Sequence, residues 1–188
     1  MDGLDKPENL IVNGKNVYLR PISLDDVSES YVNWMNDPQI NQYLESRFTT
    51  QTLNSVKDFV KAMIESPDNI LFAICEKDSG RHVGNIKMGP LNTAHSHAEI
   101  GLLIGEKECW GKGYGSEAIG LVIEYAFKTL NIHRLTAGAY ANNIGSVKAF
   151  EKNGFTVEGI YKKHFLHNGV FIDATRMGII NPDYRHEQ

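Results

Sequence analysis

Cys109-Trp110-Gly111-Lys112-Gly113-Tyr114-Gly115-Ser116-Glu117-Ala118 is the stretch whose reading decides the fold. Its glycines alternate with other residues just before a long amphipathic run. Glycine lets a backbone turn sharply and approach an anion closely. The first amides of a helix lack intrahelical partners and sit at its positive dipole end, so they favour negative charge. The segment therefore reads as a phosphate-binding turn at a helix N-terminus. A Walker A loop needs four residues between its first Gly and a Gly-Lys-Ser/Thr triplet, whereas Lys112 is followed by Gly113. Gly113, Gly115 and Ala118 satisfy G-x-G-x-x-A, yet in the dinucleotide fold the first glycine directly follows the strand. Here Gly105 to Gly111 intervenes after Ile104. Both familiar phosphate motifs lose their main support.

Outward from this turn, Gly115 to Leu130 predicts the strongest helix, with Ile119, Ile123, Ala126 and Leu130 on one face. Upstream, Lys15 to Pro21 alternates like a strand, and Ser23 can cap a helix from about Leu24 to Met35, closed by Asn36-Asp37-Pro38. Thr52 to Ile64 carries an apolar stripe at helical spacing. Strands follow at Leu71 to Glu76 and His82 to Met88, joined through Asp78-Ser79-Gly80, and at Ala98 to Ile104. Downstream come a strand over Arg134 to Tyr140 and a short helix over Ser146 to Lys152, stopped by Asn153-Gly154. Ile160 to Leu166 and Val170 to Ile180 form a hairpin through His167-Asn168-Gly169, where Asn-Gly suits a type I′ turn. The fold class is α+β, a mixed domain with a largely antiparallel sheet.

The chain has 188 residues, 41% of them hydrophobic, enough to bury a core within one domain over residues 1–188. Residues 1–14 and 182–188 read as peripheral tails. No apolar run approaches a bilayer span, and Met1-Asp2-Gly3-Leu4-Asp5-Lys6 lacks the basic and apolar regions of a signal peptide, so a cytoplasmic location is the default expectation. Cys75 and Cys109 show no disulfide or metal spacing. The formal net charge of -4 argues against a nucleic-acid surface. His95, His97 and Glu99 would share a strand face but lack further ligands, so no metal is expected.

Glu99-Ile100-Gly101-Leu102-Leu103-Ile104, Trp110 to Ala118, Asn143-Ile144-Gly145-Ser146 and Lys152-Asn153-Gly154-Phe155 occur in the order expected of the GNAT acyltransferase superfamily, which the chain resembles over nearly its whole length. The resemblance is strongest to the branch of ribosomal-protein N-terminal, spermidine and nucleotide-linked amino-sugar acetyltransferases. Tyr18-Leu19-Arg20-Pro21, Trp34-Met35-Asn36-Asp37-Pro38 and the Asn168-Gly169 hairpin with Asp173 and Met177 carry that look. Trp110 departs from the usual Gln or Arg of its position, and Phe150 stands where many relatives have a Tyr acid.

The resemblance implies a sheet splayed between its two central strands, with the pantetheine arm of acetyl-CoA in the opening along Leu102, Leu103 and Ile104. An amide around Leu103 would stabilise the oxyanion. The pyrophosphate would sit on amides of Gly111, Lys112, Gly113, Tyr114, Gly115 and Ser116, Trp110 would also contact the cofactor, and Asn143 would orient the arm or merely shape its loop. Glu99 is the first candidate for the base that an amine of pKa about 10 requires. Ser146 either protonates the leaving thiolate or caps its helix. Trp34, Arg47 and Asp173 are the candidate acceptor-binding residues. Trp34 has core packing as its alternative and Arg47 a surface ion pair, while Asp173 is also a weaker candidate for the base. The implied partner is a small-molecule amine, such as a nucleotide-linked amino sugar or a polyamine, with a possible homodimer. A protein N-terminal acetyltransferase and a non-catalytic acyl-CoA-binding module remain alternatives.

Overall fold

The computed structural model describes residues 10–185. The strands are β1 (Val12–Asn13), β2 (Val17–Pro21), β3 (Ile70–Glu76), β4 (His82–Met88), β5 (His97–Ile104), β6 (Arg134–Tyr140), β7 (Thr156–His167) and β8 (Val170–Ile180). The helices are α1 (Glu29–Asn36), α2 (Pro38–Asn41), α3 (Leu53–Glu65), α4 (Tyr114–Glu124) and α5 (Ile144–Lys152).

The strands form one sheet in the order β1-β2-β3-β4-β5-β6-β8-β7. Every neighbouring pair is antiparallel except β5 with β6, which run parallel. That parallel pairing covers only His97–Ile100 against Arg134–Ala137. Beyond it, β5 stays on β4 as far as Ile104 opposite Gly84, and β6 stays on β8 as far as Tyr140 opposite Ala174. Each strand is held by its outer partner, so the two separate and leave the opening that the resemblance implies.

Side-chain alternation sends β5 residues to two different layers. Ala98 and Ile100 join the core under α4 and α5, with Leu102 and Ile104 packed at its margin. Leu103 packs in the second core, with Tyr31, Trp34, Val56, Val60, Leu71 and Ala73 under α1 and α3. Helix α3 opens on a capping box, in which Thr52 and Ser55 exchange backbone-to-hydroxyl bonds of 2.9 and 3.2 Å.

The single helix expected over Leu24 to Met35 is instead one 3-10 turn, Leu24–Asp26, and then α1. Asp26 explains the break. Its carboxylate accepts the Ser23 amide at 2.8 Å and the Arg20 guanidinium at 2.7 and 2.5 Å, which closes the first turn on itself. Burial raises the Asp26 pKa, but these donors outweigh it and hold the carboxyl below the usual range. Ser28 then caps α1 afresh by accepting from Tyr31 N at 3.2 Å.

Helix α4 stops at Glu124 and widens into a π turn, Tyr125–Thr129, closed by Leu130 N to Tyr125 O at 3.2 Å. The wider turn buries Tyr125 edge-on against Phe72, with ring centroids 5.9 Å apart.

The segments read as tails are tied down where they are described. Val12–Asn13 pairs with Tyr18–Leu19, Tyr184 packs its ring 4.9 Å from that of His133, and Arg185 N donates to Asn131 Oδ1 at 3.3 Å. Residues 1–9 and 186–188 lie outside the described range.

Candidate active site

A cavity of about 940 Å³ runs through the opening between β5 and β6 and reaches both faces of the sheet. Ile100, Leu102, Gly115, Ser146 and Phe150 line it on the α4 and α5 side. Tyr43, Glu45, Asn85, Lys87, Glu99 and Arg176 line it on the side of α1 and α3.

The glycine turn sits at the first mouth. Gly111 and Gly113 have φ of 75° and 84°, the left-handed region that a side chain disfavours. A Cβ on either would meet nothing within 4 Å, so backbone conformation rather than crowding calls for glycine, and the space above both is open. The first helical bond runs from Glu117 N to Gly113 O at 2.9 Å. The amides of Tyr114, Gly115 and Ser116 therefore precede the helical ladder and are left for an anion.

The side chains of this turn are anchors. Trp110 Nε1 donates to Ile104 O at 2.9 Å, and Tyr114 OH donates to Glu76 Oε1 at 2.9 Å. Lys112 Nζ lies 5.8 Å from the centre of the Tyr114 ring. The Ser116 hydroxyl and carbonyl accept Asn153 Nδ2 at 3.0 and 2.9 Å, which locks α4 to α5. Glu117, to which the sequence assigned no role, accepts Asn16 N and Nδ2 at 2.8 Å each and Val17 N at 3.2 Å. Burial pushes its pKa up, but these donors prevail and hold it below the ordinary carboxylate range.

Backbone register revises one expectation. Gly105 N donates to Val83 O at 2.9 Å and Gly89 N to Glu99 O at 2.8 Å, so odd-numbered β5 residues turn their peptide groups towards β4. By antiparallel alternation Leu103, opposite Asn85, does the same. The Leu103 amide is therefore engaged within the sheet. Leu102 and Ile104 face the opening instead, and the Ile104 carbonyl is the one that Trp110 takes.

Asn143 caps α5 by accepting Ser146 N at 3.3 Å through Oδ1, and it lines the cavity. Ser146 lines it as well, at the third helical position. Phe150 is 1% exposed and packs edge-on against Phe155, so that position supplies no hydroxyl.

On the far side, Glu99 Oε1 lies 3.1 Å from Arg176 Nη1. A Cβ at Gly138 would collide with that guanidinium, so glycine makes the ion pair possible. Tyr140 stacks on Phe165 with centroids 3.9 Å apart, donates to Glu45 Oε1 at 2.6 Å and accepts Arg47 Nη1 at 2.6 Å. Burial, followed by the bond to Glu45, raises the Tyr140 pKa.

Three expected acceptor residues are placed elsewhere. Trp34 is 5% exposed, donates Nε1 to Glu106 Oε1 at 3.0 Å and lies flat against Gly105. The guanidinium of Arg47 is taken up by Tyr140 OH and the carbonyls of Leu44 and Leu166, at 2.6 to 2.8 Å, so it pins the Glu45–Phe48 turn to β6 and β7. Asp173 accepts Lys163 N and Lys162 Nζ at 2.9 Å each, bonds that lower its pKa and support the irregular register of β7 around Lys163, where φ is 50°. None of the three lines the cavity, whereas Asn85 and Lys87, unmarked by the sequence, do.

The sequence profile of the acetyltransferase (GNAT) domain matches residues 16–156, and the chain belongs to this family of N-acetyltransferases. It is 31% identical to a probable N-acetyltransferase, YjcK, of Bacillus subtilis over 92% of this chain and 98% of that one. It is 27% identical to the spermidine N(1)-acetyltransferase of Escherichia coli K12 over 92% and 90%. The fold matches a crystal structure of spermidine N-acetyltransferase from Vibrio cholerae in complex with CoA and spermine, with a TM-score of 0.81, 24% identity and coverage of 91% and 99%. Acetyl-CoA is the acyl donor of the family. The free amides and open space at Gly111 to Ser116 fit its pyrophosphate.

Gly113→Val should weaken acetyl-CoA binding. A β-branched residue at φ 84° is strained by about 1–2 kcal/mol and relaxes by re-aiming the amides that follow it. Losing two or so hydrogen bonds raises the dissociation constant about 10- to 100-fold. Titration calorimetry reads this directly, and an unchanged constant would remove Gly113 from the binding site.

Proposed function

We propose that this enzyme transfers the acetyl group of acetyl-CoA to a primary amine of a small molecule by direct attack in a ternary complex. The observation that carries this reading is the continuity of the cavity through the sheet: a donor held on α4 and an acceptor between α1 and α3 meet between β5 and β6. Direct attack is also favoured by the thiols, since Cys75 and Cys109 are 0% and 1% exposed and neither lines the cavity.

Acetyl-CoA supplies a thioester carbon activated towards nucleophiles. The amine lone pair forms the new C–N bond, and the resulting oxyanion receives the Leu102 amide, which faces the opening. The C–S bond then breaks and its electron pair leaves on sulfur. Glu99 takes the ammonium proton whose loss frees the lone pair; the second nitrogen proton is released to water once the C–N bond has formed, and the thiolate takes a proton from the Ser146 hydroxyl, which water replaces. Glu99 precedes Leu102 by three residues, about 10 Å along a strand, so the nitrogen proton travels through water.

Calorimetry with acetyl-CoA, followed by thiol-release assays on a panel of amines, tests the proposal. Binding with thiol release is the expected result. Absence of acetyl-CoA binding would overturn it.

A further inference from the structure

We propose that the amine acceptor carries an oxyanion, a carboxylate or a phosphate, and that Lys87 binds it with Asn85 beside it. This rests on the acetyltransferase reading and narrows its substrate.

Lys87 is half-buried on β4 and lines the acceptor side of the cavity. Its ammonium makes no ion pair or hydrogen bond among the described residues. Its cross-strand partner is Gly101, where a Cβ would meet nothing within 4 Å, so no side chain covers the strand opposite Lys87 and the wall there is open. Asn85 lies two places earlier on the same strand and therefore on the same face. It is 6% exposed, and its Nδ2 is buried with no hydrogen-bond partner. Its Oδ1 is held 2.9 Å from His82 Nε2, so in this arrangement the amide keeps Nδ2 as a free donor. An unpaired cation and an unpaired donor thus sit side by side on one wall, and both select for acceptor oxygens.

The carboxylates of this wall are already partnered. Glu99 is paired with Arg176 at 3.1 Å, and Glu45 accepts Tyr140 OH at 2.6 Å with Arg47 3.7 Å away. A polyamine would bring its second ammonium to a wall where the Arg176–Glu99 pair is mutually neutralised and Lys87 is left as an unpaired cation. An anionic amine meets complementary charge there.

The test compares matched amines by thiol release on the full chain: 4-aminobutyrate against 1-aminopentane, glucosamine 6-phosphate against glucosamine, and spermidine. We expect an anionic amine to exceed its uncharged partner in kcat/KM, and the carboxylate and phosphate arms identify the group. Lys87→Ala should cut kcat/KM on the anionic amine about 10- to 100-fold, the scale of one charge-assisted hydrogen bond. It should spare the neutral amine, and Lys87→Arg should restore most of the difference. A preference for spermidine, or an equal loss on charged and neutral amines in Lys87→Ala, overturns the proposal while leaving acetyl transfer intact. Failure to bind acetyl-CoA strikes the underlying reading instead.

Discussion

Glu99→Gln is expected to lower kcat/KM for amine acetylation by about 10²- to 10⁴-fold, the range for removal of a general base. The loss should deepen as pH falls. An alkylamine with a pKa near 10 is about one part in 10³ unprotonated at pH 7, and each further unit of acidity costs about another factor of ten. An enzyme with a base can bind the ammonium and deprotonate it in place. The variant must wait for the rare free amine, so the ratio of wild type to variant should widen from pH 9 to pH 6 and close as pH approaches the amine pKa. Glutamine keeps the length of the side chain and an oxygen that can accept Arg176 at the position 3.1 Å away, which limits rearrangement of β5 and β8. The pH profile is therefore the decisive readout, since a structural defect would lower activity by the same factor at every pH. A parallel loss would remove Glu99 from proton transfer.

The parts of the fold that sequence made legible are those whose causes are local. Gly111 and Gly113 make the sharp turn that their spacing suggested, with φ of 75° and 84°, and Asn168 and Gly169 have φ of 49° and 79° in the final hairpin. The break after Asp26 was not legible, because it depends on Arg20 reaching across from β2 as well as on the Ser23 cap. A strand of two residues, Val12–Asn13, has no period to detect and exists only because β2 is there to pair with it.

Side-chain partners were hidden for a related reason. Trp34 and Arg47 are chemically suited to bind a ligand, and their actual partners, Glu106 and Leu166, lie 72 and 119 residues away. Sequence displays the donor and not the acceptor that engages it. For Asn85 and Lys87 a signal existed. They recur at i and i+2 in a strand otherwise rich in buried positions, and polar residues on an inward face of a central strand call for a partner that the chain itself does not supply.

Trp34→Ala should be the most destabilising of these substitutions and should leave acceptor recognition largely intact. The indole is 5% exposed, packs against Tyr31 and His82 with centroids 5.6 and 5.1 Å away, and covers Gly105 at the end of β5. Truncating a buried Trp costs about 3–5 kcal/mol through lost transfer free energy and the cavity left behind. Glu106 also loses the donor it holds at 3.0 Å. For a chain of this size each kcal/mol moves Tm by about 2–4 °C, so a fall of about 6–20 °C is expected by calorimetry. Burial is the largest influence on the His82 pKa and lowers it. Water entering the void left by the indole should therefore move that pKa upwards, which a histidine titration by NMR detects. Below the transition temperature, KM for the amine should stay near that of the wild type. The opposite pattern, a KM raised about tenfold or more with Tm unchanged, would return Trp34 to the acceptor site. The pairing of readouts matters because a buried aromatic beside a cavity can be mistaken for a ligand contact whenever activity alone is measured: loss of the folded population and loss of binding both reduce the rate, and only the first moves Tm and the His82 titration together.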